Sequence, residues 1–258
     1  MRLPDAIAER IGDRGLVAID DGQSGAGVFR VGDGDPAYFL KVGAGAAAAL
    51  VVDEAARLAW LAERFPAARI IADTVQDGTA WLVTTALPGM TAGACIKADR
   101  RRSIAVAQTL AAFLRRLHAL PVEDCPFDSS VGAWLPVVRR LVAEGQIDVA
   151  DFDAEHGGWS AARVLAKVEA LAEHARGQAV VHGDFSLGNV ILGEDGAVVG
   201  CVDVGRLGVG DPYRDIFIGW RDLGGFGAEP QRAFLDALGI VKLEADRREL
   251  HRALDELF

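Results

Sequence analysis

The sequence predicts an α+β fold in two lobes, a β-rich N-terminal lobe and a mainly helical C-terminal lobe. Strand-like segments lie before residue 88, and helical periodicity dominates after it. The segment 180–205 interrupts the helical part with short apolar runs and turn residues. A chain of 258 residues that is 51% hydrophobic is long and apolar enough for a large packed core.

The N-terminal lobe, predicted over residues 1–88, is built from strands and one helix. Residues 28–42 contain two β-rich segments around turn-forming residues, which predicts a hairpin. Residues 53–64 have helical periodicity, with acids first and arginine last. The small, apolar residues 43–49 fit either a loose helix start or a loop. Residues 80–87 predict a further strand.

The C-terminal lobe is predicted over residues 89–258. Residues 103–120 predict a helix with Ser103 as its N-cap. Further helices are predicted near residues 133–145, 160–176 and 229–258, and a helical insertion over about residues 129–177.

Composition narrows the functional classes. The formal net charge of −10 argues against a nucleic acid partner and favours a cationic one. The three cysteines lack disulfide or zinc spacing, so we expect reduced thiols. The N-terminus is charged where a signal peptide is apolar, and no apolar run is long enough to span a membrane. We therefore expect a cytoplasmic protein with no membrane partner.

The segment VVHGDFSLGNVILGEDGAVVGCVDVG places three polar side chains beside its apolar runs. Asp184 and Asn189 lie on one loop, and residues 193–196 predict a hairpin turn before Asp203. A hairpin brings its two ends together, so these three side chains can converge. Carboxylate and carboxamide oxygens are ligands that suit Mg²⁺, whereas buried acids without a cation repel each other.

HGDFSLGN followed by DVG resembles the catalytic loop and the metal-binding segment of the protein-kinase-like phosphotransferases. The order of the other parts also agrees, with Lys41 at a strand end and Glu54 opening the next helix. The resemblance implies that Asp184 is catalytic and that Asn189 and Asp203 hold two Mg²⁺ ions. It also implies that Lys41, held by Glu54, binds the α and β phosphates of ATP.

The same resemblance implies further ATP contacts. Ser24 begins SGAG, where the phosphate-covering loop of the family belongs. Phe39 shares a strand face with Lys41 and is expected to lie against adenine. The Thr85 carbonyl and the Leu87 N–H are expected to bind the adenine edge. The sequence contains no GxxxxGK[ST] motif, which argues against a P-loop enzyme.

Four segments together resemble the aminoglycoside 3'-phosphotransferases of the kanamycin kinase type, namely DEAARLAWL, CPFD, DVGRLGVGDPYRDI and LDELF. The resemblance runs from about residue 24 to residue 258. It implies transfer of the ATP γ-phosphate to the 3'-hydroxyl of 2-deoxystreptamine antibiotics such as kanamycin and neomycin, which gives resistance. We expect a monomer.

Such antibiotics carry several ammonium groups, so their site must be rich in acids. The substrate-binding residues that the resemblance implies are Asp153, Asp184, Arg206, Arg221, Asp222, Asp255, Glu256 and Phe258. Taken separately, the acids are also ordinary residues near helix ends. Their joint placement, together with the negative net charge, favours a cation-binding cleft.

Three neighbouring residues are expected to be structural: Asp211 and Asp215 to brace the catalytic loop, and His182 to form hydrogen bonds.

Two alternative functions remain. A kinase of the same fold acting on choline, a sugar, homoserine or a macrolide would not need the acidic C-terminus. A non-catalytic nucleotide-binding module would lack metal ligands, and here they are present.

Overall fold

The computed structural model describes residues 3–19, 25–32 and 37–258. The helices in chain order are α1 Asp5–Ile11, α2 Ala46–Leu61, α3 Ala92–Ala98, α4 Ser103–His118, α5 Val131–Ala143, α6 Ala161–Leu171, α7 Tyr213–Gly224, α8 Ala228–Leu238 and α9 Ala245–Asp255. The strands are β1 Leu16–Ile19, β2 Gly27–Val31, β3 Tyr38–Ala44, β4 Ile70–Gln76, β5 Thr79–Thr85, β6 Met90–Thr91, β7 Ala179–Val181, β8 Val190–Leu192, β9 Val198–Cys201 and β10 Gly208–Gly210.

The chain divides into two compact units. The first unit comprises Met1–Thr91 and Asn189–Arg206, and the second comprises Ala92–Gly188 and Leu207–Phe258. The residues that contain β8 and β9 therefore belong with the N-terminal part of the chain. Among the described residues, no helix is both long and apolar enough to cross a membrane.

The first unit contains an antiparallel sheet with the strand order β1-β2-β3-β5-β4. The predicted hairpin over residues 28–42 is confirmed, since β2 pairs with β3. The strand predicted over residues 80–87 is β5. Helix α2 begins at Ala46, earlier than predicted, because the alanine-rich stretch after Gly45 is helical.

One face of this sheet packs on α1. Leu40 in the centre of β3 is fully buried in a cluster with Ile7, Ile11 and Val83. Because side chains alternate along a strand, Phe39 and Lys41 lie on the opposite face from Leu40. The shared face that the sequence predicted for Phe39 and Lys41 is confirmed.

The second unit is mainly helical, and the α+β prediction is confirmed. Helix α4 matches the prediction for residues 103–120, but Ser103 is not its N-cap. A 3₁₀ turn over Arg100–Arg102 precedes the helix, and Asp99 caps that turn by accepting a hydrogen bond from the Arg101 N–H at 3.1 Å. The residues before Ser103 are therefore already helical, which leaves Ser103 inside the helix.

Helices α5, α6, α8 and α9 confirm the remaining helix predictions. The stretch predicted near residues 229–258 is broken after α8 at Gly239, whose φ of +75° is left-handed. Three of the described helices were not predicted, α1, α3 and α7. In α7 most side chains are buried, and they include the charged Arg214 and Asp215, whose burial the residue type does not predict.

Candidate active site

Lys41 in the first unit is bonded to two carboxylates. Its Nζ donates to Glu54 Oε2 at 2.5 Å and to Asp203 Oδ1 at 2.9 Å. The predicted pairing of Lys41 with Glu54 is present. Burial lowers the pKa of Lys41, but the charges of Glu54 and Asp203 outweigh it and raise the pKa above its ordinary value. The ammonium is therefore positively charged at neutral pH and is held on two sides.

The hairpin of β8 and β9 carries two of the predicted metal ligands. The Gly193 N–H closes its turn by donating to the Ala197 carbonyl at 2.9 Å. At the open end, the Val202 N–H donates to the Asn189 carbonyl at 2.9 Å. This bond brings Asn189 next to the chain that continues into Asp203, as the sequence predicted.

Asp203 has the most open carboxylate of the Lys41 cluster, with its side chain 53% exposed. Its φ of +56° lies in the left-handed region, which non-glycine residues rarely adopt and which is enriched at functional sites. Asn189 is half-buried. An exposed carboxylate and a carboxamide on adjoining backbone form a donor set that suits a hard cation such as Mg²⁺.

Two of the residues predicted to contact adenine are Thr85, the last residue of β5, and Leu87, which follows that strand. The Thr85 N–H donates to the Arg69 carbonyl at 2.8 Å, and the Thr85 hydroxyl accepts from the Arg69 N–H at 3.0 Å. Within residues 3–19, 25–32 and 37–258, no group accepts a hydrogen bond from the Leu87 N–H. That donor is available for an adenine nitrogen. Ser24 lies outside the described residues.

The loop that follows β7 in the second unit carries the predicted catalytic residue. Its first two N–H groups, of His182 and Gly183, donate to the two oxygens of Asp215 at 2.7 and 2.8 Å. The Asp184 N–H donates to His182 Nδ1 at 3.3 Å, so that ring nitrogen is an acceptor. The predicted structural roles of His182 and Asp215 are confirmed, because both hold the backbone around Asp184.

Asp215 is fully buried, and His118 Nε2 lies 3.0 Å from its Oδ2. Burial raises the pKa of Asp215, but the hydrogen bond and charge of His118 outweigh burial and lower it. Asp215 is therefore an ionised acceptor under the loop at neutral pH.

The prediction that Asp211 braces the same loop is wrong. Its backbone donors are the N–H groups of Arg176 and Tyr213. Its side-chain partners are Arg247 and His251 on α9. Asp211 therefore ties α9 to the chain before α7, because its oxygens are used by these four groups.

Arg221 and two predicted substrate-binding acids form one cluster in the second unit. Arg221 donates to Asp222 Oδ1 from Nε at 3.3 Å and from Nη2 at 3.2 Å, and its Nη1 donates to Asp255. The other oxygen of Asp222 accepts from the Leu187 N–H at 3.1 Å. Burial raises the pKa of Asp222 in spite of the charge of Arg221. Asp222 thus also anchors the end of the catalytic loop.

Asp153 and Glu256 are joined to each other through the backbone. The Asp153 N–H donates to Glu256 Oε1 at 3.0 Å, and Asp153 Oδ1 accepts from the His156 N–H at 3.2 Å. His156 is buried, with Nδ1 3.3 Å from Glu256 and Nε2 3.2 Å from Glu249. Burial raises the pKa of Glu256. The predicted acids therefore fasten the loop before α6 to the end of α9.

Ligand atoms of Asp153, His156 and Glu256 lie within 4.8 Å of one another, as in many metal sites. Here, however, Arg252 Nε lies 3.4 Å from Asp153 Oδ2, and its Nη1 lies 3.6 Å from Glu249. Asp153 is therefore already paired with a protein cation, which argues against a structural metal at this cluster.

The last two predicted substrate residues are Phe258, two positions after Glu256 in the chain, and Arg206. The Phe258 ring packs edge-on against Trp134 at 5.1 Å in the core of the second unit. Arg206 is half-exposed at the end of the first unit's second segment.

Sequence reasoning missed His156 and Arg214. His156 meets α9 from about a hundred positions away, and Arg214 donates from α7 to the Gly183 carbonyl. Neither residue belongs to a recognisable local motif, so only its tertiary partners indicate its role.

Comparisons with known proteins agree over nearly the whole chain. The sequence profile of the phosphotransferase enzyme family matches residues 15–253. An aminoglycoside 3'-phosphotransferase of Escherichia coli is 39% identical over 239 residues, covering 92% of this chain and 88% of that protein. The crystal structure of aminoglycoside-3'-phosphotransferase of type VIII is 38% identical with a TM-score of 0.88, covering 98% of this chain and 97% of that chain.

A third relative is the aminoglycoside phosphotransferase APH(3'')-Id from Streptomyces rimosus, solved in complex with ADP and streptomycin. It is 28% identical with a TM-score of 0.86, and the match covers 98% of this chain and 96% of that chain. These similarities confirm the predicted protein-kinase-like, two-lobed fold. The chain therefore belongs to the phosphotransferase enzyme family and, within it, to the aminoglycoside 3'-phosphotransferases.

Proposed function

We propose that this protein transfers the γ-phosphoryl group of ATP to the 3'-hydroxyl of 2-deoxystreptamine aminoglycosides such as kanamycin and neomycin, and so gives resistance to them. The observation that carries the proposal is the Lys41 cluster, in which one ammonium is held by Glu54 and Asp203. In protein kinases a strand lysine and a helix glutamate form such an ion pair, which must be in place for phosphoryl transfer. The same proposal places the enzyme in the cytoplasm as a monomer.

The first unit supplies the groups for ATP. Lys41 would bind the α and β phosphates while Glu54, which is buried, keeps its ammonium in place. The Leu87 N–H would donate to the adenine edge beside the Thr85 carbonyl, and Phe39 would contact the ring. Ser24 would approach the phosphates.

The donor set at the hairpin fits magnesium. Asn189 and the exposed Asp203 would hold two Mg²⁺ ions, which when bound neutralise charge on the phosphates. In the structure, Lys41 already contacts Asp203 at 2.9 Å. The Lys41 ammonium therefore helps to orient the Asp203 carboxylate.

Asp184 would act on the acceptor. Its carboxylate would accept a hydrogen bond from the attacking hydroxyl, orient that hydroxyl towards the γ-phosphorus and take its proton late in a loose transition state. The backbone at this position is held by Asp215 beneath the preceding two residues and by His182. Held in this way, the base contributes chiefly by orientation.

The acids of the second unit would select a polycationic acceptor. Asp153, Asp255 and Glu256 would each bind ammonium or hydroxyl groups, with Asp222 and the terminal Phe258 carboxylate adding negative charge. Arg221 and Arg206 would orient hydroxyl groups. Because several acids already hold arginines, a bound drug would compete with these pairs, which favours acceptors carrying several ammonium groups over those carrying one.

The test is ADP release from Mg²⁺-ATP by the purified protein with a panel of acceptors. Kanamycin and neomycin should be turned over, while tobramycin, a kanamycin-type drug without the 3'-hydroxyl, should bind but not react. NMR of the product should place the phosphate on the 3'-oxygen. Equal turnover of tobramycin would contradict the 3' assignment.

Two further acceptors separate the alternatives. Turnover of streptomycin alone would assign the chain to the activity of its streptomycin-binding relative. Turnover of choline, homoserine, a sugar or a macrolide without any aminoglycoside would replace the substrate class but retain the phosphotransfer chemistry. Expression in a sensitive bacterium, with an inactive Asp184 variant as control, would test resistance.

A further inference from the structure

Arg214 in α7 connects two parts of the second unit that the proposed function uses. Its Nε donates to the Gly183 carbonyl at 2.5 Å, and Gly183 directly precedes Asp184. Its Nη2 lies 3.7 Å from Asp255 Oδ1. The guanidinium also lies over the Phe258 ring, at 5.3 Å from its centroid. One side chain therefore contacts the catalytic loop and the C-terminal segment.

The Arg214 guanidinium is buried, so its contacts have a large effect on the energy of the folded state. The Arg214 side chain is 2% exposed, and a buried guanidinium is costly unless its partners are well placed. Nε makes the hydrogen bond to Gly183, whereas Nη2 faces Asp255 at ion-pair distance, beyond hydrogen-bond range. Both nitrogens belong to one planar group, a relation that the single nitrogen of lysine cannot reproduce. The distance between the Gly183 carbonyl and the Asp255 carboxylate is thus limited by one rigid group.

The peptide groups before Asp184 are held from both sides. Asp215 accepts the Gly183 N–H, and Arg214 donates to the Gly183 carbonyl. Gly183 has a φ of +82°, a left-handed conformation that other residues adopt at a cost. With its N–H and carbonyl both bonded, Gly183 determines where the Asp184 backbone begins.

We propose that Arg214 is a positioning residue that sets the distance between the cation-binding end of the substrate site, at Asp255, and the catalytic Asp184. An acceptor whose ammonium group binds Asp255 then has its reacting hydroxyl within hydrogen-bond distance of Asp184. The proposal rests on the proposed function, because it takes Asp255 as a substrate ligand. Arg221 binds the other oxygen of Asp255 but contacts the loop only through Asp222, farther from Asp184.

The test compares Arg214→Lys, Asp255→Asn and the double variant. In Arg214→Lys the positive charge stays but only one partner can be held. We expect kcat with kanamycin to fall about 10- to 100-fold, as for misplacement of a reacting group by a fraction of an ångström to about 1 Å, with KM for ATP within about twofold. The double variant should be no more than about threefold slower than Arg214→Lys, because both changes break one connection.

Arg247→Lys is the matched control. Arg247 is also largely covered and also bonds an aspartate, Asp211, but neither touches the catalytic loop. We expect Arg247→Lys to lower Tm while leaving kcat per folded molecule within about twofold. A merely structural Arg214 would behave in the same way, with effects that multiply with those of Asp255→Asn. That result would overturn the proposal.

Hydrogen exchange separates this proposal from the proposed function. The peptide over residues 182–188 should exchange faster in Arg214→Lys than in the wild type, and Asp255→Asn should shift it in the same direction. Unchanged exchange in both variants would overturn the positioning role. If Arg214→Lys does not fold, Asp255→Asn alone still decides this point. Absence of aminoglycoside turnover by the wild type would instead refute the proposed function and leave the exchange result interpretable.

Discussion

Two clusters of the molecule share one charge pattern but expose different members of it. In the first unit Lys41 lies between Glu54 and Asp203, and in the second Arg221 lies between Asp222 and Asp255. Asp203 is the open member of the first cluster, with 53% of its side chain exposed. In the second cluster the arginine, at 39%, is more exposed than either acid.

The difference shows that the exposed partner, more than the charge count, determines which ligand a cluster suits. An exposed carboxylate beside a buried ammonium can accept a metal ion while the ammonium faces phosphates. Two covered carboxylates beside an exposed arginine are already neutralised in part, and Asp222 is also used by the Leu187 N–H. The second cluster is therefore expected to attract an added cation less strongly, while its Asp222 holds the end of the catalytic loop.

The largest effect is expected at Asp184, which belongs to neither cluster. Asp184→Ala should lower kcat by about 10² to 10⁴ because the acceptor hydroxyl loses its base and its orienting partner. ATP binding, measured by calorimetry, should stay nearly intact. Glu194→Gln on the exposed hairpin turn is the control and should retain full activity. A modest fall in kcat would remove Asp184 from this role.

Replacing the cation of each cluster by methionine tests the comparison of the two clusters directly. Lys41→Met should weaken ATP binding about 10- to 100-fold through loss of a charge-assisted bond, and leave binding of kanamycin nearly unchanged. Arg221→Met should alter kanamycin binding and spare ATP. Calorimetry with each ligand on both variants measures the two effects. If both variants weaken both ligands equally, the division of tasks between the clusters is wrong.

A smaller effect is expected at the two acids that contact His156. Glu256→Gln keeps an acceptor for the Asp153 N–H but removes a charge, so KM for kanamycin should rise about three- to tenfold with little change in kcat. Glu249→Gln removes a charge from the same helix, on the other nitrogen of His156, but the proposal does not place Glu249 against the drug. It should therefore change KM less than twofold. Steady-state kinetics that give equal shifts would indicate a general field effect instead of contact with the drug.

The smallest effect is a pH dependence of stability. The pKa of Asp222 is raised by burial, so the folded protein holds this proton more tightly than the unfolded chain. Its contribution to the free energy of unfolding therefore falls as pH rises from the unfolded pKa, ordinarily 3.8, through the higher folded pKa. Asp222→Asn should accordingly be less destabilising at pH 7 than at pH 4.

Asp211→Asn is the matched variant with the opposite sign. Burial raises the pKa of Asp211, but His251 and Arg247 outweigh it and lower the pKa. Its stabilisation is present above the ordinary pKa and is lost as pH falls through the folded value. Urea unfolding of both variants and the wild type at pH 4 and pH 7 measures how much unfolding free energy each variant loses. From pH 4 to pH 7 this loss should shrink for Asp222→Asn and grow for Asp211→Asn. A change in the same direction for both variants would contradict the raised pKa of Asp222.

The metal-ligand pair and the pairing of Lys41 with Glu54 could be predicted, because these partners lie at the two ends of one hairpin or follow each other on a strand and the next helix. The contact of Lys41 with Asp203, 162 positions away, was not predicted. Asn189 and Asp203 flank one hairpin, whose turn residues are visible in the sequence. Lys41 and Glu54 follow each other on a strand and the next helix. Arg214 and His156 could not be found in this way, since each bonds residues about 30 to 100 positions away.

The sequence by itself determined the division into a β-rich part and a mainly helical part, the hairpin that joins Asn189 to Asp203 and the negative net charge of the chain. These features depend on local periodicity, turn chemistry and charge, which act over a few residues. Only the tertiary structure decided that Asp215, and not Asp211, holds the catalytic loop, and which acids are neutralised by arginine. Those outcomes depend on burial and on partners from distant segments, because the energy of a charged group depends on its surroundings more than on its neighbours in the chain.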